Sequence, residues 1–234
     1  MAGRGLQSEV SAIENDRLYV LRNGRWHHMY FPVNNDRRFS GVSLAESFAD
    51  ECAKYYNTDI GLIPCADGGT KLDQWMPGEI LYDHAIFQAQ LAMRTSKLAG
   101  VLWHQGESDC NECDYPLYEE KCKYIFENFK KDLELKNTPF LVGGLGVFLA
   151  NRGGTLVNYP HVNNALHNLA LANDYIGYIS ADGLTGNPDN LHFNSKSLRE
   201  FGVRYFAKFV EMNTIILNST HEKFNNKLTE IEKL

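Results

Sequence analysis

Short apolar runs alternate with longer amphipathic stretches along this chain. The run from Asp59 to Pro64 has the length of a buried strand, and Leu98 to Trp103 is a second run of this kind. Elsewhere apolar residues recur at helical spacing, as in residues 43–56, where they are Leu44, Phe48, Cys52 and Tyr55. This alternation predicts an α/β fold with a parallel sheet covered by helices on both faces.

The same pattern gives an order of elements along one large domain, residues 1–212, followed by a polar tail, residues 213–234. Residues 15–40, with Arg22-Asn23-Gly24, predict a hairpin ahead of the first helix. We predict helices over residues 43–56, 79–97, 115–135, 160–173 and 195–212, and strands over residues 59–64, 98–103, 139–145 and 175–180. The asparagine-rich tail is expected to be a weak helix or partly disordered.

Composition narrows the function classes. A net charge of −6 argues against a nucleic-acid partner, which would need a basic stripe. No apolar run reaches the roughly 20 residues of a membrane helix. The five cysteines are an odd number, which favours free thiols over a disulfide framework, and Cys110-x-x-Cys113 has no second pair at zinc-ligand spacing. We therefore expect no metal site.

Asp189-x-x-His192 is the first candidate for catalysis. In a serine-type ester hydrolase an imidazole takes the proton of the nucleophile, and a carboxylate orients that ring and stabilises its charged form. A spacing of three in a loop can bring the two side chains together. The same pattern also fits a simple helix-capping loop, and the motif alone does not decide between them.

Two further candidates follow predicted strands, where open α/β sheets bind ligands. Trp103-His104-Gln105-Gly106-Glu107 offers Gln105 as an amide donor to a developing oxyanion, and Gly106 allows close approach of the backbone. A polar turn after a core tryptophan is the plain alternative. The turn Gly68-Gly69-Thr70 offers backbone N–H groups for the same role. A flexible turn is the plain alternative. A phosphate loop is disfavoured, because the Lys-Ser/Thr pair of such a loop is missing.

The three blocks together resemble the sialate O-acetylesterase-like branch of the SGNH hydrolases, which includes the acetyl xylan esterases of carbohydrate esterase family six. The residues that carry the resemblance are Pro64 to Thr70, Trp103 to Asp109, and Asp189 to Phe193, in that order. The resemblance implies a flavodoxin-like three-layer α/β/α sandwich. It also implies a cofactor-free serine esterase that removes acetyl groups from sugar hydroxyls, with an acetylated carbohydrate as its partner.

The resemblance also assigns roles. His192 is then the general base and Asp189 its orienting partner. Gln105 and a backbone N–H of Gly68 or Gly69 form the oxyanion hole, while Trp103 and Glu107 are expected to contact substrate.

The departure from the family is at the start of the chain. The family's first block is Gly-Gln-Ser-Asn-Met-Ala-Gly-Arg-Gly with a nucleophilic serine, whereas this sequence opens Met1-Ala2-Gly3-Arg4-Gly5. The expectation is therefore that the serine and the first core strand are missing, through a late start or in a true pseudo-esterase that acts as a glycan-binding module. No signal peptide is recognisable, so a cytoplasmic location is the default and secretion stays open. The sequence leaves the sugar and the oligomeric state undetermined.

Overall fold

The fold is built on two three-stranded sheets. A computed structural model describes the backbone of residues 2–231 and the side chains of residues 2–214. The first sheet has the order β2-β1-β3, and its strands are β1 (Leu18–Arg22), β2 (Arg25–His28) and β3 (Ile60–Leu62). The second has the order β4-β5-β6, with strands β4 (Val101–Trp103), β5 (Phe140–Gly143) and β6 (Ile176–Ile179).

Parallel pairing dominates, as the alternation of elements predicts. β1 pairs in parallel with β3, and β5 pairs in parallel with both β4 and β6. The exception is the predicted hairpin, in which β1 and β2 are antiparallel. Asn23 and Gly24 form its two-residue turn with φ of 49° and 72°, the left-handed values that such a turn requires.

Six α-helices in the described residues cover the sheets: α1 (Leu44–Tyr56), α2 (Ile80–Met93), α3 (Tyr118–Asp132), α4 (Leu149–Arg152), α5 (Tyr159–Ala172) and α6 (Ser195–Ile231). α1 and α6 pack against each other and cover one face, while α2, α3 and α5 cover the other. The result is a three-layer α/β/α fold with parallel strands in its middle layer.

Part of the core lies under α6, where Phe201, Tyr205 and Phe209 are buried as the helical pattern predicts. The hydroxyl of Tyr205 donates a hydrogen bond to the carbonyl of Trp103, 2.8 Å away, and so ties α6 to the end of β4. Gly143 on β5 lies against that hydroxyl, and a Cβ at this position would collide with it.

One predicted boundary is wrong. The core helix that was expected to end near residue 212 continues to Ile231, as the helical alternative for the tail allowed. The side chain of Tyr55, near the end of α1, is 62% exposed. It packs edge-on against Tyr56 and Phe206 instead of entering the core.

Candidate active site

Asp189 and His192 form a hydrogen-bonded pair in the loop between β6 and α6. Nδ1 of His192 lies 2.7 Å from Oδ2 of Asp189. The other carboxylate oxygen of Asp189 accepts the backbone N–H groups of Leu191 and His192, at 2.9 and 3.1 Å. Asn190 between them takes a left-handed φ of 52°, which lets the loop fold back on its own carboxylate.

These contacts fix the charge state of the carboxylate. Partial burial alone would raise the pKa of Asp189, but the two backbone N–H groups and the His192 ring outweigh it, and the pKa is lowered. An ionised Asp189 favours the tautomer of His192 that carries its proton on Nδ1. Nε2 is then left as a proton acceptor, and no described residue is hydrogen-bonded to it.

Arg152, at the end of α4, supports this loop from outside. Its guanidinium donates a hydrogen bond to the backbone carbonyl of Asp189 at 2.7 Å. The sequence pattern did not indicate this contact, because α4 itself lies in a stretch without a clear helical period. Arg152 therefore joins the candidate site as a residue that positions the Asp189–His192 loop.

The loop after β4 places Gln105 and Glu107 at the same end of the sheet. Gly106 makes the sharp change of direction with a φ of 147°, and a Cβ there would lie 2.6 Å from Val162. Burial raises the pKa of Glu107, and the nearby His192 acts in the opposite direction. Trp103 is buried, with its ring against Trp75 and Phe126, so its packing role is visible while its role as a substrate contact stays a prediction.

The side chain of Gln105 is saturated with hydrogen bonds. Its amide nitrogen donates to the carbonyl of Thr70 at 2.8 Å and to the carboxylate of Asp109 at 2.5 Å. Its oxygen faces the hydroxyl of Tyr118 at 3.2 Å. Both neighbours of the nitrogen are acceptors, so this orientation of the amide is fixed. A role for Gln105 as an oxyanion donor, which stays a prediction, requires one of these bonds to be exchanged.

Asp109 connects this loop to the glycine turn. Besides Gln105, its carboxylate accepts the backbone N–H of Leu72 at 3.2 Å, two residues beyond Thr70. Asp109 is buried, and burial raises its pKa. The two loops that follow β3 and β4 are therefore held together by one buried carboxylate.

The Gly68-Gly69-Thr70 turn is fixed by Asp36. The N–H of Gly68 donates to Oδ2 of Asp36 at 2.9 Å, so this donor is occupied. Gly69 takes a φ of 81°, and a Cβ there would meet no atom within 4 Å, which leaves its surroundings open. Of the two candidate oxyanion donors Gly68 and Gly69, only Gly69 has open space beside it. Its role in an oxyanion hole stays a prediction.

Asp36 forms a buried ion pair with Arg4, whose guanidinium approaches it to 2.6 Å. Burial opposes the charge of Asp36, but Arg4, the Gly68 N–H and Ser40 hold its pKa well below its usual range. Arg4 also donates to the backbone carbonyls of Ala2 and Gly3. This pair, which links residues far apart in sequence, anchors both the start of the described chain and the glycine turn.

All of these loops border one cavity of about 1850 Å³. Its lining includes the predicted site residues Gly68, Gly69, Trp103, Gln105, Glu107 and His192. Ser108 also lies on this wall, whereas Ser8 and Ser11 are exposed near the start of the chain. Among residues 2–214, no serine is hydrogen-bonded to His192, and no three His, Cys, Asp or Glu side chains converge as metal ligands.

The family model of the carbohydrate esterases described as sialic acid-specific acetylesterases matches residues 1–211. The chain belongs to this family. A curated relative, the probable carbohydrate esterase At4g34215 of Arabidopsis thaliana, is 29% identical over 187 residues, which cover 76% of this chain and 68% of the plant protein.

Solved structures agree with the family assignment. The structure of the Arabidopsis thaliana protein AT4G34215 superposes with a TM-score of 0.81 at 25% identity, covering 90% of this chain and 93% of the plant chain. Two further structures share the fold at 19% identity. The carbohydrate acetylesterase XAC1771 of Xanthomonas citri has a TM-score of 0.64, covering 82% of this chain and 48% of its own. NanS has a TM-score of 0.61, covering 79% of this chain and 75% of its own.

No described helix of this carbohydrate esterase family member has the length and apolar character of a membrane span.

Proposed function

We propose that this member of the family takes part in the removal of acetyl groups from sugar hydroxyls, with His192 as general base and Asp189 as its orienting partner. The observation that carries the proposal is the 2.7 Å contact between Nδ1 of His192 and Oδ2 of Asp189 at the end of a sheet whose other loops border the same cavity. Membership of the family supports the chemical class.

The reaction follows from this geometry. Nε2 of His192 accepts the proton of a serine hydroxyl as the serine oxygen bonds to the acetyl carbon. The bond from that carbon to the sugar oxygen then breaks, and the sugar leaves with the proton that His192 returns. Water, activated in the same way, releases acetate from the acyl-serine. Gly69 and Gln105 are the proposed donors to the oxyanion of both tetrahedral states.

The proposal needs a serine that the described residues do not place beside His192. In the family that serine stands in the Gly-Gln-Ser-Asn block. The experiment below supplies a serine in such a block and asks whether it completes the site. The alternative is a pseudo-esterase that binds glycans in the same cavity, and the observation in its favour is that no serine among residues 2–214 is hydrogen-bonded to His192.

Turnover measurements separate these two functions. Residues 1–234 should not hydrolyse p-nitrophenyl acetate, O-acetylated sialic acid or acetylated xylo-oligosaccharides. A version with an apolar strand and Gly-Gln-Ser-Asn joined ahead of Met1 should hydrolyse at least one of them. Its serine-to-alanine and His192→Ala variants should be inactive.

Two outcomes would contradict the proposal. Turnover by residues 1–234 that is lost in Ser108→Ala would make Ser108 the nucleophile. A folded, serine-bearing version that binds acetylated sugars by calorimetry but releases no acetate would favour the glycan-binding alternative. The sugar preferred by the active version then defines the substrate, which the blocks themselves do not specify.

A further inference from the structure

The two hydrogen bonds donated by the side-chain nitrogen of Gln105 are unequal. One goes to the carboxylate of Asp109 at 2.5 Å, and the other goes to the backbone carbonyl of Thr70 at 2.8 Å. A hydrogen bond to an ionised acceptor is shorter and roughly twice as strong as a bond between neutral groups. The bond to Asp109 is therefore the firm one, and the bond to Thr70 is the one that can be exchanged.

Asp109 is itself held in place. Its side chain is buried, and the backbone nitrogen of Leu72 lies 3.2 and 3.3 Å from its two oxygens. Its backbone N–H donates to the carbonyl of Gly106 at 2.9 Å, which fixes the turn after β4. Every hydrogen bond to this carboxylate among residues 2–214 comes from an N–H donor, so the side chain is bound as an acceptor and the ionised form fits it.

The oxygen of the Gln105 amide is fixed from the other side. The hydroxyl of Tyr118 lies 3.2 Å from this oxygen and donates to the backbone carbonyl of Gln105 at 2.7 Å. Turning the amide over would bring its oxygen against two acceptors, the Asp109 carboxylate and the Thr70 carbonyl. The amide therefore keeps its nitrogen toward both of them.

The exchangeable N–H of Gln105 lies at the glycine turn. Thr70, its present acceptor, follows Gly69, and Gly69 has open space beside it. Gln105, Gly69 and Thr70 all border the cavity, whereas Asp109 is not among the described residues that do. A rotation of the Gln105 side chain that keeps the bond to Asp109 releases the other N–H from Thr70 toward the cavity.

We propose that Asp109 is a positioning residue. It holds one N–H of Gln105, so that the other N–H, now on Thr70, becomes the oxyanion donor when an ester is bound. Asp109 acts through Gln105 and does not itself touch the substrate. The use of this N–H in catalysis rests on the proposed function, whereas the hold of Asp109 on the amide is a property of the protein alone.

Hydrogen exchange of the Gln105 side-chain NH₂ group tests the hold on the 234-residue protein. Its NMR signals are assigned by their loss in Gln105→Glu. In Asp109→Asn they should exchange about tenfold faster, because an asparagine has a single acceptor oxygen and turns an NH₂ group toward either Gln105 or Leu72. The side-chain NH₂ group of Asn163, which donates to the carbonyl of Leu145 at 3.0 Å, is the internal control.

Asp114→Asn is the matched control variant. Asp114 lies in the same loop, but its carboxylate binds Lys71 and Asn111 instead of Gln105. The exchange rate of the Gln105 side chain should be unchanged in this variant. An equal acceleration in both variants would mean that the loop loosens in general, and it would overturn the proposal.

A pH titration of the unaltered protein needs no variant. Burial raises the pKa of Asp109, and the bonds from Gln105 and Leu72 reduce that rise. The charged and titratable groups around it are Lys71, Glu107, Cys110, Asp114, Tyr118, Lys121 and Cys122. The Gln105 NH₂ signals should shift with a midpoint above the ordinary pKa of an aspartate. This shift should be absent in Asp109→Asn, and its persistence there would contradict the proposal.

Kinetics of the serine-bearing version test the catalytic part. Asp109→Asn should lower kcat about tenfold and leave KM within twofold, because the oxyanion donor is misplaced while ground-state binding is not. Asp114→Asn should match the parent. A raised KM with unchanged kcat, or a Gln105 exchange rate that does not respond to Asp109→Asn, would overturn the proposal. A serine-bearing parent without turnover would refute the esterase, and the exchange and pH measurements would still decide whether Asp109 holds Gln105.

Discussion

His104 makes the folded protein sensitive to mild acid. Burial keeps the ring neutral and lowers its pKa from 6.5 to about 3, although the hydrogen bond to the Gly144 carbonyl acts in the opposite direction. In the unfolded chain the same ring takes up a proton below about pH 6.5. Between these two values the unfolded state binds more protons, so the free energy of unfolding must fall as the pH falls.

The size of the effect follows from the two pKa values. Between pH 7 and pH 5 the unfolded imidazole becomes almost fully protonated while the folded one does not, which lowers the stability by about 2 kcal/mol. His104→Gln removes the titrating group and keeps an amide that can donate to the Gly144 carbonyl. The variant should therefore lose this part of the pH dependence.

Urea unfolding at pH 7 and pH 5 measures this difference in the free energy of unfolding. The fluorescence of the buried Trp75 and Trp103 is the signal. Burial raises the pKa of the carboxyl groups of Glu46 and Asp109, and these groups change the stability in the opposite direction. They are present in both the unaltered protein and His104→Gln, so their contribution cancels in the comparison. His84→Gln, at an exposed position on α2, is the matched control and should behave as the unaltered protein. An unchanged difference between the two pH values in His104→Gln would refute the reasoning.

Further predictions concern the site and its supports. In the serine-bearing version, Gln105→Ala should lower kcat about a hundredfold with little change in KM, whereas a raised KM with intact kcat would place Gln105 in ground-state binding. Asp189→Asn should also lower kcat strongly by disturbing the tautomer of His192, and a kcat within twofold of the parent would contradict that role. Asp36→Ala should destabilise the protein by about 3–5 kcal/mol, because it leaves the buried Arg4 guanidinium unpaired. Asp67→Ala, which breaks the more exposed pair with Arg37, is the control, and an equal Tm for the two variants would argue against this reasoning. Gly143→Ala should lower Tm by overpacking against Tyr205, and Tyr205→Phe in the same background should recover part of the loss.

The regular elements were predictable because their signals are local. Asn23-Gly24 specifies a two-residue turn by its tolerance of positive φ, and the hairpin forms there. The buried face of α6 follows from apolar residues at helical spacing. The parallel pairing of β1 with β3 was not visible in the same way, because it depends on a strand that the pattern assigned only to a hairpin.

The supports of the site were not predictable, because they arise from contacts between distant segments. Asp36 and Arg4 lie 32 residues apart, and Asp36 stands in none of the blocks recognised in the sequence. The hydrogen bonds that occupy Gln105 depend on where Thr70 and Asp109 lie in space. By contrast, Asp189 and His192 are three residues apart, so their pairing could be anticipated from sequence.

The Arg4–Asp36 pair has a consequence for proteolysis. Arg4 is held by Asp36, and its own carbonyl accepts a hydrogen bond from the side-chain amide of Asn187 at 3.3 Å. Trypsin can therefore cut after Arg4 only when this segment opens locally, so the rate of that cut reports how often the anchor comes apart.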